Sequence, residues 1–180
     1  VAVSNVRMEN LKLTRSVVGW HTLNIGGPSG SNRHHNLTFI NLDITGGTNF
    51  MEDGYGVIIR QAEDILFQGG RVHDIDMISA DGLYIVNDTA RITLDGIEVD
   101  HIVKGNGIFF QNYPINLALR PTGVVLRNSV IHDNGLQGTE WLGVTDAHIY
   151  DNTIYHNGKT GVQVEFTSER VVVERNKIYN

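Results

Sequence analysis

Ile149-Tyr150-Asp151-Asn152-Thr153-Ile154-Tyr155-His156-Asn157-Gly158 is followed by Val173-Glu174-Arg175-Asn176-Lys177-Ile178-Tyr179-Asn180, and the two segments share one pattern. Extended in both directions, that pattern becomes apolar–any–apolar–any–(Asn/Gly/Asp)–any–any–apolar. It fits Val6 to Leu13, Leu37 to Ile44, Ile65 to Val72, Ile92 to Val99, Val124 to Ile131, Ala147 to Ile154 and Val171 to Ile178. The third positions are Met8, Phe39, Phe67, Leu94, Leu126, Ile149 and Val173, separated, by subtraction of residue numbers, by 31, 28, 27, 32, 23 and 24 residues. Self-similarity at such a period marks a solenoid.

Alternation with period two argues for strands. It breaks at Asn10, Asn41, Gly69, Gly96, Asn128 and Asp151, residue types that tolerate positive φ and so mark a bend. A second strand follows a glycine in five places: Gly56-Val57-Ile58-Ile59, Gly82-Leu83-Tyr84-Ile85, Gly107-Ile108-Phe109-Phe110, Gly143-Val144-Thr145 and Gly161-Val162-Gln163-Val164. Strands recurring this way without helical stretches between them stack as rungs about 4.8 Å apart. The expected fold is all-β, a right-handed parallel β-helix of about seven coils. Residues 1–180 form one domain, expected to be part of a longer solenoid because no polar capping unit is visible.

The two opening segments resemble the repeat of right-handed parallel β-helix proteins of the pectate-lyase-like superfamily. That superfamily includes polysaccharide lyases, glycoside hydrolases, epimerases, phage tailspikes and non-catalytic sugar-binding members. The resemblance spans essentially the whole chain and implies the fold; it does not select among these activities. It implies an extracellular or cell-surface location. The Asp-Pro-His-Asp run of the epimerases and the Asn-Thr-Asp, Asp-Asp, Gly-His-Gly and Arg-Ile-Lys set of the polygalacturonases are absent from the sequence.

Composition narrows the partners. Lys and Arg number 14 against 20 Asp and Glu, a formal charge of −6, which argues against nucleic acid. A local basic groove on an acidic protein still admits an acidic sugar polymer. The absence of cysteine excludes disulfide and thiolate chemistry, and no apolar run has membrane-spanning length.

Alignment of the repeats predicts vertical columns. Directly after the last apolar slot come Thr45, His73, Asp100, His132, Tyr155 and Tyr179; one further on come Gly46, Asp74, His101, Asp133, His156 and Asn180. Two adjacent columns therefore interleave histidine and aspartate. His73, Asp74, Asp100, His101, His132 and Asp133 are candidate acid–base groups or ligands for a divalent metal, with each His reaching an Asp on a neighbouring rung. The alternative is plain turn chemistry. Asp95 beneath Arg127 reads as a surface ion pair or, by the resemblance to lyases in which Arg or Lys takes the proton α to a uronate carboxylate, as catalytic, with Lys104 of similar chemistry. A third outward column, Ile58, Tyr84, Phe109, Thr145 and Gln163, with Trp141 nearby, reads as a platform for sugar rings or as a surface covered by the Tyr113–Pro121 insertion. Asp53 and Asp81 precede the glycine strands and are candidate calcium ligands, or bond their own turns.

Three functions follow as expectations. The first is a polysaccharide-active enzyme, a uronate lyase before a glycoside hydrolase. The second is a non-catalytic sugar-binding module. The third is a structural subunit of a spike or fibre that assembles end to end or laterally with its own copies. Insertions after the glycine strands, such as Tyr113–Pro121, are expected to border the site, on the first five coils.

Overall fold

The computed structural model describes residues 2–14, 21–26, 33–46, 48–49, 54–112 and 115–180. None of these is helical. Three walls of parallel strands wind around one core. The first wall is built from Ser4–Glu9, the opening halves of His34–Thr45 and Ala62–Met77, then Thr89–Asp95, Thr122–Arg127, Thr145–Tyr150 and Glu169–Glu174. The second takes Lys12–Thr14, the closing parts of those two long strands, Glu98–Ile102, Val130–His132, Thr153–Tyr155 and Lys177–Tyr179. The third takes His21–Ile25, Tyr55–Ile59, Leu83–Val86, Ile108–Gln111, Thr139–Leu142 and Val162–Glu165. Among the described residues the first two walls thus have seven rungs and the third has six, so the solenoid makes about six full turns plus a final partial one.

The register is the one the repeats dictate. Met8, Phe39, Phe67, Leu94, Leu126, Ile149 and Val173 are successive partners along the first wall. Leu13, Ile44, Val72, Val99, Ile131, Ile154 and Ile178 do the same along the second. Phe39 and Phe67 stack at 4.6 Å within the first of these columns. On the final coil Val173 and Ile178 stand uncovered.

The corner between the first two walls is a column of left-handed residues: Asn10, Asn41, Gly69, Gly96, Asn128 and Asp151 have φ of 54°, 49°, 62°, 67°, 53° and 56°. Arg175 completes it at φ 52°, against its own preference. Just inside this corner an asparagine ladder ties the coils. Asn152 Oδ1 accepts from the Ser129 amide at 2.9 Å, and its Nδ2 donates to the Leu126 carbonyl at 3.0 Å and Asn176 Oδ1 at 2.9 Å. Asn134 and Asn157 repeat the device after the second wall. Asn152 is buried, so Asn152→Ala strands several polar groups at about 1–3 kcal/mol each. A chemical denaturation curve with an unchanged midpoint would count against the ladder.

The third wall opens on a glycine column, Gly56, Gly82, Gly107, Gly138 and Gly161. A β-carbon at Gly56, Gly82, Gly107 or Gly138 would lie 2.5–2.7 Å from the carbonyl oxygen of the next glycine, a distance no side chain tolerates. This corrects the fifth coil. Gly138-Thr139-Glu140-Trp141-Leu142 is its third-wall strand, and Gly143-Val144-Thr145 is not. Gly143 instead turns the chain out of that wall at φ 70°, and Thr145 opens the first wall beside Thr122. Polar Thr139 and Glu140 disguise the true strand in the sequence. Trp141 consequently points inward. It is fully buried, stacks on Phe110 at 4.1 Å and donates from Nε1 to Thr139 Oγ1 at 2.9 Å, so it is core and not a sugar platform.

Candidate functional site

The histidines and aspartates of the second wall do assemble, though mostly within rungs and not between them. His73 Nδ1 lies 2.8 Å from Asp74 and its Nε2 2.7 Å from Asp43. His101 Nδ1 lies 2.6 Å from Asp100. His132 Nδ1 lies 2.7 Å from Asp133 and its Nε2 3.2 Å from Glu98. Asp74, His101 and Asp133 occupy another left-handed corner, at φ 53°, 52° and 52°. The member that sequence reasoning missed is Arg71. Its guanidinium grips the fully buried Asp100 carboxylate through two nitrogens, Nε at 2.8 Å, and also nears Glu98 at 3.8 Å. Arg71 falls two residues before His73 on the same outward face, so the period-two rule is the signal that locates it.

This network is self-satisfied. Burial opposes ionisation of Asp100, but the bonds from Arg71 and His101 outweigh it and hold the carboxyl below its ordinary range. Burial likewise opposes charging His132, and its bonds to Asp133 and Glu98 prevail, raising the imidazole. Ligand atoms of Glu98, Asp100 and His132 lie within 4.8 Å of one another, the spacing of a metal site. Arg71 already fills the cationic position among them, so the set fits an ion poorly. His132, Tyr155 and Tyr179 then stack at 4.8 and 5.3 Å.

Asp95 and Arg127 form the expected pair, with Nη2 2.9 Å from Oδ2; Asn128 also donates to Asp95 at 2.8 Å, and Tyr150 stands against Arg127 at 3.2 Å. Tyr150 and Asp95 raise the Arg127 guanidinium further.

The third wall brings four other expected residues into one place. A cavity of about 280 Å³ is lined by Tyr55, Asp81, Tyr84, Lys104, Asn106 and Phe109, among others. Lys104, Gly105 and Asn106, where the chain enters the third wall, line it, and so does Gln111, where the chain leaves. His21, Tyr55, Tyr84 and Phe109 stack at 5.2, 4.4 and 5.5 Å. Rings stacked along the axis cover one another's faces, so the row offers a strip of ring edges and not open platforms. Tyr84 hydrogen-bonds Gln111, and burial, then Tyr55 and Asp81, push its phenol up.

Asp81 is the unusual group. It is buried, and its Oδ1 accepts the Asn106 amide at 2.9 Å. Burial drives its carboxyl up to about 7, with Glu140 adding repulsion. Asp81 therefore bonds the next coil's backbone and not its own turn. Asp53, its expected partner, lies outside the described residues, as do Tyr113 and Pro114. Glu140 stands one rung beyond Phe109 and accepts from Asn106 Nδ2 at 3.1 Å. Burial, then Glu165, raise its carboxyl. Lys104 pairs with Asp76 at 3.1 Å.

A family model described as "Right handed beta helix region" matches residues 27–180. Among solved structures the chain is similar to the A-modules of two mannuronan C-5 epimerases of Azotobacter vinelandii. Against that of AlgE6 the identity is 20%, the TM-score 0.64, and 96% of this chain and 50% of that one are covered. Against that of AlgE4 the corresponding values are 20%, 0.59, 96% and 51%. The chain thus spans about half the length of these modules. No curated protein matches its sequence. Likeness at this identity carries the fold alone, and with the family match it is decisive for that: the chain belongs to the right-handed β-helix family.

Proposed function

We propose that the third-wall cavity is a glycan site and that the chain acts on a polysaccharide there by acid–base chemistry. The observation that carries this reading is Asp81, a carboxyl raised to about 7 in a cavity edged by Tyr55, Tyr84 and Phe109. A concave site with an apolar strip and a carboxylic acid still protonated near neutrality suits glycosidic bond cleavage. Asp81 would give its proton to the leaving oxygen. Glu140, less buried, would take a proton from the attacking water. The titles of the solved neighbours, which name enzymes that modify a polysaccharide, are consistent with this.

Uronate elimination, the leading chemistry by resemblance, has less support in the geometry. Arg127 is held by Asp95 and Tyr150, and Arg71 by Asp100. The working environment of such an enzyme is outside the cell or at its surface, where polymeric glycans are met.

The test is incubation with a panel of neutral, amino and uronate polysaccharides, with and without calcium, following reducing ends. Tyr84→Ala and Phe109→Ala should each weaken binding of the responsive polymer about two- to tenfold, as expected for lost ring contacts. New reducing ends without ultraviolet absorbance identify hydrolysis. An unsaturated, absorbing product identifies elimination instead. Binding without product identifies a sugar-binding module, and binding indifferent to both substitutions rules the cavity out.

A further inference from the structure

One arginine of the third wall stands apart from the rest. Every other described arginine meets a carboxylate within 3.3 Å. Among the described residues Arg60 meets none, and its Nε is buried without a hydrogen bond. The outer nitrogens of its fork, Nη1 and Nη2, are likewise unbonded but not enclosed, and the residue is half-buried. Arg60 continues the strand Tyr55–Ile59, its amide donating to the Ile25 carbonyl at 2.9 Å. It falls two residues after Ile58 and so shares that residue's outward face. Ile58 stands beside Tyr84 of the cavity lining. In register, Gly26 lies on one side of Arg60 along the axis and Val86 on the other, and neither offers a side-chain acceptor. A β-carbon on Gly26 would come within 2.5 Å of Arg60 Cγ, so the glycine leaves room for the arginine stem. Gln111, which lines the cavity, follows Val86 in the same column. It is two coils from Arg60, about 10 Å along the axis.

We propose that Arg60 is an oxyanion subsite, and that a glycan lying along the third wall sets an acidic substituent, a carboxylate or a sulfate ester, against it. A guanidinium offers donors only, in a fork that matches two oxygens of such a group. A half-buried charge that no protein group compensates lowers stability, so the fold itself does not call for one here. The fork shares its face with the aromatic strip and its column with Gln111, which places it beside a chain that extends out of the cavity. Arg60 thereby becomes a specificity residue outside the cavity proper. Assigning the oxyanion to a glycan rests on the cavity being a glycan site.

Titration calorimetry with a glucose hexamer, a sulfated glucose hexamer and a uronic-acid hexamer, at low salt and with chelator present, tests it. At least one acidic hexamer should bind about tenfold more tightly than the neutral one, as expected for one charge-assisted pair of hydrogen bonds. The advantage should shrink as salt rises. Arg60→Gln, which keeps most of the stem and loses the charge, should abolish the difference. Its urea midpoint should equal or exceed the parent's, because no protein partner is lost; a lower midpoint would make Arg60 a structural residue and overturn the proposal. A preference for acidic hexamers that survives Arg60→Gln, or neutral binding as tight as acidic, also overturns it and leaves the glycan site standing. If no hexamer binds, the glycan reading falls, and sodium sulfate against sodium chloride at equal ionic strength decides Arg60 by itself. A sulfate-dependent displacement of the Arg60 Nε–Hε magnetic-resonance signal keeps the oxyanion subsite without the glycan, and an unmoved signal overturns both.

Discussion

Asp81→Asn should make the folded protein more stable at pH 8 than the parent, by up to about 4 kcal/mol. The sign follows from linkage. The Asp81 carboxyl rises from 3.8 to about 7 on folding, so the native state binds the proton more tightly than the unfolded chain does. Its contribution is fully present below about pH 4, is lost as pH climbs towards 7 and is flat above that. Every tenfold gain in proton affinity on folding is worth about 1.4 kcal/mol. Asparagine cannot ionise, and its amide oxygen can still accept the Asn106 amide. Urea titrations at pH 4, 6 and 8 should therefore show parent stability falling across this window and a flatter profile for the variant. A parent profile without that fall would remove Asp81 as a buried acid. The same substitution should lower turnover of a responsive polysaccharide at least about 100-fold, the usual worth of a positioned proton donor. Parent activity should decline as pH rises through about 7, where Asp81 releases its proton.

Trp141→Ala should cost about 3–5 kcal/mol. The indole is fully buried in the core, is stacked on Phe110, and satisfies the buried Thr139 hydroxyl, which the variant leaves unpaired. In a solenoid, stability is a sum of rungs and their interfaces, so the damage should be local first. Coils beyond Trp141 already expose Val172, Val173 and Ile178. Hydrogen exchange should show residues 145–180 losing protection before residues 62–112. Uniform loss along the chain would mean that the coils unfold as one unit.

Much of the architecture could be read directly because a parallel solenoid converts sequence alignment into vertical neighbourhood. Phe67 over Leu94, and Val99 over Ile131, follow from the template alone. The fifth coil escaped because its third-wall strand carries Thr139 where the other coils carry Leu23, Val57, Leu83, Ile108 and Val162. A nearby Gly-Val-Thr imitated the pattern. The asparagine ladders escaped because an inward amide and an outward one look alike in a repeat. The second-wall array was legible as a column, but Arg71, which neutralises Asp100, lay in the adjoining outward slot. On the third wall Tyr84, Phe109, Lys104 and Asp81 were singled out separately, for stacking, charge and calcium. Only the rise of one coil over the next gathers them around a single cavity, and Asp81's unusual acidity arises from burial that no linear pattern reports.

The glycine column fixes more than a turn. With no side chain between successive coils at that seam, the rise there is set by backbone against backbone, whatever the loops on either side contain. Segments entering and leaving the third wall can lengthen, shorten or change character without altering the pitch. The lining of the cleft and the ruler along which it is laid out are therefore free to vary independently.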